Sequence, residues 1–215
     1  IYSKKRNSQD LGVEYTLDLL SKNQLSNEEL FEIFDYADSL GVLPLCTPWD
    51  EESANLLLNY GIKAFKVASA DLTNHPLIKH ISEMRLPIIL STGMSLESEI
   101  KESKSILEES GSQFMFLHCN STYPAPFKDL NLKYIKKLEK ITNNVVGYSS
   151  HERGYSAVLA AITLGAKLIE KHFTFDKSME GVDHKVSLLP EEFKEMKKRA
   201  LEVESSLGMG DDRSL

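Results

Sequence analysis

The feature that most constrains the fold is a regular alternation of short β-rich runs with helical patterns. The β-rich runs, in chain order, are VLPLCTP (42–48), AFKVAS (64–69), PIILSTG (87–93), FMFLHC (114–119), VVGYSS (145–150) and LIEKHFT (168–174). Strand–helix repeats of this length indicate a parallel sheet covered by helices. No linker or low-complexity segment interrupts them, so residues 1–215 are predicted to form one α/β domain.

The polar residues distinguish two parallel-sheet architectures. An open doubly wound sheet concentrates its ligand-binding residues at a switch point, whereas a barrel carries them at the ends of all its strands. Each of the six runs has chemistry-capable side chains at its C-terminal end, and no glycine-rich dinucleotide fingerprint is present. The pattern therefore predicts a TIM-type (β/α)8 barrel of which six of the eight β/α units are visible. The first two strands are expected to be absent from this sequence.

The first helix has the clearest start signal. Ser26 and Glu29 stand three residues apart, the spacing of a capping box, just before a run of apolar residues. Leu30, Ile33, Phe34 and Ala37 then recur at helical spacing. These residues are predicted to form one buried stripe.

Composition excludes several classes of protein. A formal net charge of -7 argues against a generally basic surface for nucleic acid, although a local basic pocket for a small anion is compatible with it. No apolar run is long enough to span a bilayer, so no membrane partner is expected. Cys46 and Cys119 lie far apart inside apolar runs and are predicted to be buried, reduced thiols of a cytoplasmic protein.

Strand alternation places two histidines on one side of the sheet. The residues predicted to point into the barrel are Ser149, His151, Glu170 and His172, whereas Tyr148 and Phe173 are predicted to pack against helices and Ser150 to face outward. Imidazoles at adjacent strand ends could hold one divalent metal. Each could equally be a hydrogen-bonded core histidine, and the residues alone leave this open. Glu152 and Arg153 are predicted to be solvated loop residues.

Lys66 is a lysine within a strand of small residues. A lysine in a buried parallel strand is costly unless it is paired or binds an anion, although its ammonium could also reach solvent at a strand end. It could form a Schiff base or attract phosphate or carboxylate. Hydroxyl donors recur at the strand ends, at Thr47, Ser69, Ser91, Thr92, Ser121 and Ser149, and singly each could be a turn residue. Lys66 and Ser69 can both reach one site only if the strand bends or ends between them.

Taken in order and spacing, six motifs resemble the sialic acid synthase family, N-acetylneuraminate synthase and its relatives. The motifs are FKVASADLTNHPLIK, PIILSTGMS, LHCNSTYPAP, GYSSHERG, GAKLIEKHFT and GVDHKVSL. The resemblance begins near LSNEELFEIFDYADSL and continues to the last helix. It implies a (β/α)8 barrel enzyme that condenses phosphoenolpyruvate with an N-acylated amino sugar, releasing phosphate, with Mn2+ or Mg2+ as the metal.

The resemblance also implies roles for particular residues. His151 and His172 match the metal ligands, and both are expected to be catalytic together with Lys66 and Asp71. Asp71 and Asp183 match positions that contact the sugar. The residues that match the phosphoenolpyruvate site are Thr47, Lys66, Ser69, Ser91, Ser121, Tyr123 and Ser149. Ser121 stands where some relatives have Asn.

Two parts of the family pattern are not found in this sequence. They are the initial strands, one carrying Glu, Asn and His and the next a further lysine, and the C-terminal antifreeze-like domain. The full-length form is expected to be a homodimer, and this chain by itself is expected to have little turnover. Two rival hypotheses remain: a Schiff-base aldolase or lyase that uses Lys66, and a non-catalytic carbohydrate-binding barrel. The motifs do not separate sialic, legionaminic, pseudaminic and spore-coat precursors.

Overall fold

The computed structural model describes residues 21–22 and 24–208 and divides the chain into two compact units, Ile1–Pro44 and Leu45–Leu215. The polar first stretch, residues 1–12, lies outside the described residues. The prediction of one domain over residues 1–215 stays a prediction. Among the described helices, none is both long enough and apolar enough to cross a membrane.

In the first unit, helix α1 (Asn27–Ser39) begins as predicted. The backbone N–H of Ser26 donates to Glu29 Oε2 at 2.8 Å, and the backbone N–H of Glu29 donates to Ser26 Oγ at 3.2 Å, which confirms the capping box. The predicted buried stripe is wrong, because Phe34 is the one buried residue of this helix and Ile33 is 50% exposed. Helical periodicity indicates which residues share a face, but burial requires another surface to cover that face.

The second unit alternates strands and helices. In chain order it contains α2 (Glu51–Tyr60), β1 (Phe65–Val67), α3 (His75–Glu83), β2 (Ile88–Ser91), α4 (Glu97–Ser110), β3 (Phe114–Cys119), α5 (Tyr134–Thr142), β4 (Val146–Ser150), α6 (Ser156–Thr163), β5 (Ile169–Lys171) and α7 (Pro190–Leu207). Short 3-10 turns occupy Ser69–Asp71, Phe127–Asp129 and Asp183–Lys185.

The five strands form one parallel sheet in the order β1-β2-β3-β4-β5. Each strand pairs with the strand that follows it along the chain, and a helix connects every pair. The order never reverses, as it would at the switch point of an open doubly wound sheet. A sheet that advances in one direction is the arrangement of a TIM-type barrel, and these strands form a curled part of one.

The first β-rich run does not become a strand. Cys46 makes a single parallel bridge to Phe65, in which the backbone N–H of Lys66 donates to the Cys46 carbonyl at 3.1 Å. Pro44 and Pro48 flank this bridge and have no N–H to donate, so a longer ladder cannot form. The described residues therefore contain five strands and this bridge instead of the six predicted strands. At the opposite edge, Phe173 bridges Leu188 in the same parallel sense.

Strand β4 is the most deeply buried part of the sheet, since all five of its residues are buried. Its inward face requires glycine at Gly147. A Cβ there would lie 2.4 Å from the Leu117 side chain and 2.6 Å from the Leu168 carbonyl oxygen. Because Gly147 has no side chain, side chains of the neighbouring strands fill the interior beside the middle of β4. The polar residues of β4 follow at the C-terminal end of the strand.

Candidate active site

A cavity of about 280 Å³ lies at the carboxyl ends of the strands. Its walls are residues at the end of, or just after, each of the five strands, together with one residue that precedes α2. The lining residues are Trp49, Lys66, Ala68, Ser69, Ala70, Ser91, Met94, Cys119, Ser121, Tyr123, Ser149, His151, Glu170 and His172. This is the position of the active site in barrel enzymes.

Lys66 supplies the cation of this cavity. Its Nζ donates to Ser91 Oγ at 2.8 Å and to the Val67 carbonyl oxygen at 3.0 Å, and it lies 3.5 Å from Glu170 Oε2. Burial lowers the pKa of Lys66, and the Glu170 carboxylate opposes this effect. The ammonium is therefore held by oxygen atoms that an anionic ligand could replace.

Glu170 joins two neighbouring elements across the cavity. Its Oε1 accepts from Ser149 Oγ at 2.7 Å, while its other oxygen faces Lys66. Ser149 and Glu170 are register partners of β4 and β5, which confirms that alternation places both on the inward face. Glu170 was predicted to point inward but had no role assigned to it.

His151 is oriented by the backbone. Its Nδ1 lies 2.7 Å from the Asn120 carbonyl oxygen, which can only accept, so Nδ1 carries a proton. In the neutral ring Nε2 then has the lone pair, and Tyr123 Oη lies 3.0 Å from it. Burial raises the pKa of Tyr123 to about 12, so the phenol keeps its proton and donates it to Nε2. Burial disfavours charge on His151, but the Cys119 thiol and the Asn120 carbonyl on balance raise its pKa.

His172 lies beside His151, because the paired strands β4 and β5 end at equivalent positions. The centroids of the two imidazole rings are 5.2 Å apart, and Tyr123 contacts both rings. Burial lowers the pKa of His172, although Asp183 Oδ2, 4.0 Å from its Nδ1, opposes that effect. The neutral ring is the form that binds a metal.

These two imidazoles fit a divalent metal only in part. A carbonyl that holds the Nδ1 proton, so that the lone pair is on Nε2, is the usual arrangement around a metal-binding histidine. Within the described ranges, however, no group of three or more His, Cys, Asp or Glu side chains is arranged to hold a metal ion. His151 and His172 would therefore need oxygen atoms from water or from a ligand to complete the coordination.

Hydroxyl groups and a glycine form another wall of the cavity. Ser69 begins the turn after β1, and its Oγ accepts from the Gly93 N–H at 3.0 Å. The strand thus ends between Lys66 and Ser69, which is the condition under which both reach the site. A Cβ at Gly93 would lie 2.0 Å from Ser121 Oγ, so no side chain can replace the glycine without displacing these hydroxyls.

Three predicted site residues lie outside the lining of the cavity. Thr47 precedes α2 and is partly buried, and Asp183 stands in an exposed turn beside His172. Asp71 accepts from Asn74 Nδ2 at 3.1 Å through one oxygen, while its other oxygen is buried without a hydrogen-bond partner. The roles assigned to these residues stay predictions.

Three further residues at the cavity had no predicted role. Cys119 was predicted to be buried, and it is, but its Sγ lies 3.7 Å from His151 Nδ1. Trp49 and Met94 line the rim and are 62% and 75% exposed. Met94 has φ 62°, an unusual backbone conformation for a residue that is not glycine. For Trp49 the sequence did contain a usable signal, because the single tryptophan of the chain directly follows the first β-rich run.

Glu152 corrects the prediction of a solvated loop. The residue is fully buried, and its carboxylate accepts from Tyr148 Oη and from Ser150 Oγ, both at 2.8 Å. Arg153 is exposed, as predicted. A charged residue just after a strand is usually solvated, but here the phenol and the hydroxyl on the outward face of β4 provide donors for it.

A partial barrel with a lysine, hydroxyl groups and paired imidazoles at its strand ends places this protein among the TIM-type barrels. The model of the NeuB family matches residues 2–212, so the chain belongs to the NeuB family.

Individual relatives support the same assignment. The chain is 45% identical over 195 residues to an uncharacterized protein of Methanocaldococcus jannaschii, covering 90% of this chain and 58% of that protein. It is 40% identical over 200 residues to an N,N'-diacetyllegionaminic acid synthase of Campylobacter jejuni, covering 92% and 60%. The chain thus spans about 60% of the length of these relatives.

The fold is also that of a solved structure. The crystal structure of an N-acetylneuraminic acid (sialic acid) synthetase from Leptospira borgpetersenii, in complex with citrate, superimposes with a TM-score of 0.91 at 29% identity. The match covers 97% of this chain and 72% of that chain. The barrel predicted from the sequence is therefore confirmed.

Proposed function

We propose that this chain provides the phosphoenolpyruvate- and metal-binding part of a synthase that condenses phosphoenolpyruvate with an N-acylated amino sugar. The observation that carries the proposal is the placement of Lys66, the serine hydroxyls and the two imidazoles around one cavity. Phosphoenolpyruvate carries a phosphate and a carboxylate, and an ammonium with hydroxyl donors neutralises and orients such groups. Membership of the NeuB family supports the reaction class.

In this proposal Lys66 and Ser91 bind an anionic group of phosphoenolpyruvate. They already contact each other at 2.8 Å, so both can donate to one ligand oxygen with little rearrangement. Ser69 and Ser121, which face each other across Gly93, donate to a second group. Because Lys66 lies between oxygen acceptors, the incoming anion replaces protein oxygens and not bulk water.

His151 and His172 would hold the divalent metal, Mn2+ or Mg2+, together with oxygen atoms from water or substrate. When bound, the metal supplies Lewis-acid polarisation of the open-chain sugar aldehyde. The Asn120 carbonyl keeps the proton of His151 on Nδ1, so that Nε2 faces the cavity. Tyr123 donates a hydrogen bond to Nε2, and it would give up that bond when the nitrogen binds the metal.

The proposed reaction forms one carbon–carbon bond and one carbon–oxygen bond to water, and breaks the carbon–oxygen bond to phosphate. The methylene carbon (C3) of phosphoenolpyruvate attacks the aldehyde carbon, and the aldehyde oxygen takes a proton. Water adds at C2, the carbon that carries the phosphate, and releases a proton that balances the one taken by the aldehyde oxygen. The tetrahedral intermediate then expels phosphate, which takes the remaining hydroxyl proton, and a 2-keto acid is left. Lys66 and the hydroxyl groups would neutralise carboxylate and phosphate throughout.

Asp71 and Asp183 are the residues proposed to bind the acceptor sugar. Asp71 has a buried carboxylate oxygen without a hydrogen-bond partner among the described residues, and a hydroxyl group is the kind of donor that satisfies such an acceptor. Asp183 lies 4.0 Å from His172, so it stands beside the proposed metal position. The sugar itself is left open among the sialic, legionaminic, pseudaminic and spore-coat types. A homodimeric full-length form also belongs to this proposal, and the unpaired Cys46 and Cys119 support a location in the cytoplasm.

The test uses Trp49, the single tryptophan of the sequence, which lines the cavity. Phosphoenolpyruvate is titrated into the chain with Mn2+ present, and Trp49 fluorescence is followed. Lys66→Met is expected to raise the dissociation constant about 10- to 100-fold, because hydrogen bonds to a charged group contribute about 1.5–3 kcal/mol. Lys63→Met, an exposed lysine just before β1, is the matched control and is expected to bind like the parent chain.

Turnover is measured as phosphate release with Mn2+ and a panel of N-acylated amino sugars. We expect low release from the chain by itself and loss of that release on adding a chelator. The binding proposal fails if the parent chain does not bind phosphoenolpyruvate or if Lys66→Met and Lys63→Met behave alike. Binding with no release under any condition, including a longer polypeptide containing this chain, favours the non-catalytic barrel.

A Schiff-base lyase is the second candidate, and one observation favours it. Burial lowers the pKa of Lys66, and a lysine that is more readily deprotonated is a better amine nucleophile. Borohydride reduction in the presence of pyruvate would then modify Lys66, as mass spectrometry would detect. The synthase proposal expects no such adduct and a reaction that depends on the metal.

A further inference from the structure

A buried polar cluster lies on the side of β4 and β5 opposite the cavity. We call the four residues Tyr148, Ser150, Glu152 and Lys171 the outer cluster. Lys171 Nζ donates to Ser150 Oγ at 3.0 Å and to the Glu152 carbonyl oxygen, and the Glu152 carboxylate accepts from Tyr148 and Ser150. Tyr148, Ser150 and Glu152 are at most 1% exposed.

The centre of the cluster is the buried carboxylate of Glu152, which accepts hydrogen bonds from its neighbours. Each Glu152 carboxylate oxygen has a hydroxyl donor at 2.8 Å. The ammonium of Lys171 shares Ser150 with that carboxylate, so a positive charge lies nearby. A carboxylate and an ammonium in such a place are costly unless their geometry is held, and a satisfied network of this kind is rigid.

The cluster ties together the two strands that carry the histidines. Ser150 and Lys171 are register partners at the ends of β4 and β5. His151 lies between Ser150 and Glu152, and His172 directly follows Lys171. The contacts from Lys171 to Ser150 and to the Glu152 backbone therefore fix, from behind, the backbone from which both imidazoles project.

We propose that the outer cluster is a positioning device that sets the separation of His151 and His172. This inference deepens the proposed function, because it concerns the same histidine pair. The cluster residues are positioning residues, since none of them lines the cavity. Lys171 is the central member, because its ammonium alone spans from β5 to the end of β4.

The residues in front of the histidines constrain the pair less completely. Asn120 and Tyr123 hydrogen-bond to His151. His172 instead has an edge-on ring contact with Tyr123, at 5.5 Å between centroids, and an Asp183 oxygen 4.0 Å from its Nδ1. The relative position of the two rings therefore depends on the strand ends themselves. Removing the tie between those ends is expected to loosen the pair even when the fold is kept.

The first measurement is the affinity for Mn2+ alone, by electron paramagnetic resonance of the free ion, well below the unfolding temperature. Lys171→Met is expected to weaken Mn2+ binding about tenfold, by analogy with the loss of groups that orient metal-binding histidines, although Lys171 acts on the backbone and not on the rings. Ser150→Ala removes the shared hydroxyl without changing any charge and is expected to give a smaller loss. It serves as the second variant if Lys171→Met folds poorly.

The second measurement does not need a metal. Imidazole resonances in two-dimensional NMR report the environment of each ring, and those of His151 and His172 are expected to shift and broaden in Lys171→Met. The resonance of His80, which pairs with Asn55 on the surface, is expected to stay in place. Lys104→Met is the matched control, because Lys104 is also a largely buried lysine but pairs with Glu108 within α4.

The outcomes separate the two proposals. If the parent chain does not bind Mn2+, the metal part of the proposed function fails, and the NMR shifts still decide whether the cluster positions the rings. If Lys171→Met and Ser150→Ala lower the unfolding temperature but leave the Mn2+ affinity and both imidazole resonances unchanged, the cluster is merely stabilising. The positioning proposal is then overturned, as it also is if Lys104→Met gives the same losses.

Discussion

Lys66 and Glu170 lie 3.5 Å apart inside the cavity, at the place where the proposed substrate brings its own negative charges. The carboxylate is thus a built-in competitor for the ammonium. It also keeps Lys66 charged, because its charge opposes the effect of burial on the pKa. Glu170 therefore has two opposite effects on anion binding, and a change of pH separates them.

We expect anion affinity to depend on the protonation of Lys66. The ammonium attracts phosphate and the neutral amine does not, so affinity is highest below the folded-state pKa of Lys66 and falls as the pH rises through it, while the hydroxyl donors are unchanged. Burial lowers this pKa, so the loss begins at a lower pH than for an ordinary lysine. Glu170→Gln removes the charge that raises the pKa and is expected to move the midpoint further down, while neutral-pH affinity rises. Phosphate titrations followed by Trp49 fluorescence above about pH 8, where phosphate charge is constant, measure this.

Glu108→Gln is the control, because Glu108 is a half-exposed glutamate that pairs with Lys104 within α4 and does not line the cavity. Its midpoint should coincide with that of the parent chain. An unchanged midpoint in Glu170→Gln would show that the pKa of Lys66 is set without Glu170.

Individual residues show which features of the site could be predicted from the sequence and which could not. Alternation along β4 and β5 correctly placed Ser149, His151, Glu170 and His172 on the cavity side, because a strand has only two faces. Glu152 was misassigned because its burial depends on donors from Tyr148 and Ser150 across the surface of the strand. The local sequence shows that Glu152 is charged, but it does not show the hydrogen-bond donors that allow the carboxylate to be buried.

At the scale of elements, the turn after β2 is as tightly specified as the strands. Gly93 brings its backbone N–H to Ser69 Oγ, and a Cβ at this position would meet both Ser121 and Ser69. The glycine therefore allows three segments of chain to converge on one wall of the cavity. Glycine is needed here because there is no room for a Cβ, and not because of the backbone conformation, since its φ is not in the left-handed region.

We predict that Gly93→Ala lowers both stability and anion affinity. The added methyl group must displace Ser121 Oγ, and overpacking of this kind typically costs about 1–3 kcal/mol. Urea unfolding and phosphoenolpyruvate titration measure the two effects. Gly111→Ala provides the contrast, because nothing lies within 4 Å of its Cβ but its φ is 70°. It should lose stability and keep its affinity, and equal affinities for both variants would contradict the prediction.

Elements were predictable where one short pattern decides them. Five of the six β-rich runs contain strands, and the capping box marks the start of α1. The prediction of a strand at 42–48 was wrong, because prolines on both sides of Cys46 prevent a ladder. The prediction relied on the apolar content of the run and gave too little weight to these prolines. The buried stripe of α1 failed because periodicity does not reveal what covers a helix.

At the scale of the molecule, ligand binding should be visible as stabilisation of the unit from Leu45 onward. A ligand at 100 times its dissociation constant stabilises the folded state by about 2.7 kcal/mol. For a domain of this size that raises the unfolding temperature by about 5–10 °C. Differential scanning calorimetry with phosphoenolpyruvate and Mn2+ measures the shift.

The Lys66→Met chain at the same ligand concentrations is the control, and its shift should nearly vanish. An equal shift in both proteins would mean that the ligands stabilise the fold from outside this cavity.

The order of the strands has a consequence for how the molecule forms. Each of β2 to β5 pairs with the strand made just before it, so no strand of the described sheet waits for a distant partner. The pairing therefore has low contact order for a parallel sheet, which favours rapid folding. A ribosome that delivers this chain from its N-terminus can let the sheet grow one strand at a time. The histidine-bearing strands are the last of the five to be added, so the lysine wall of the cavity is assembled before the imidazole wall.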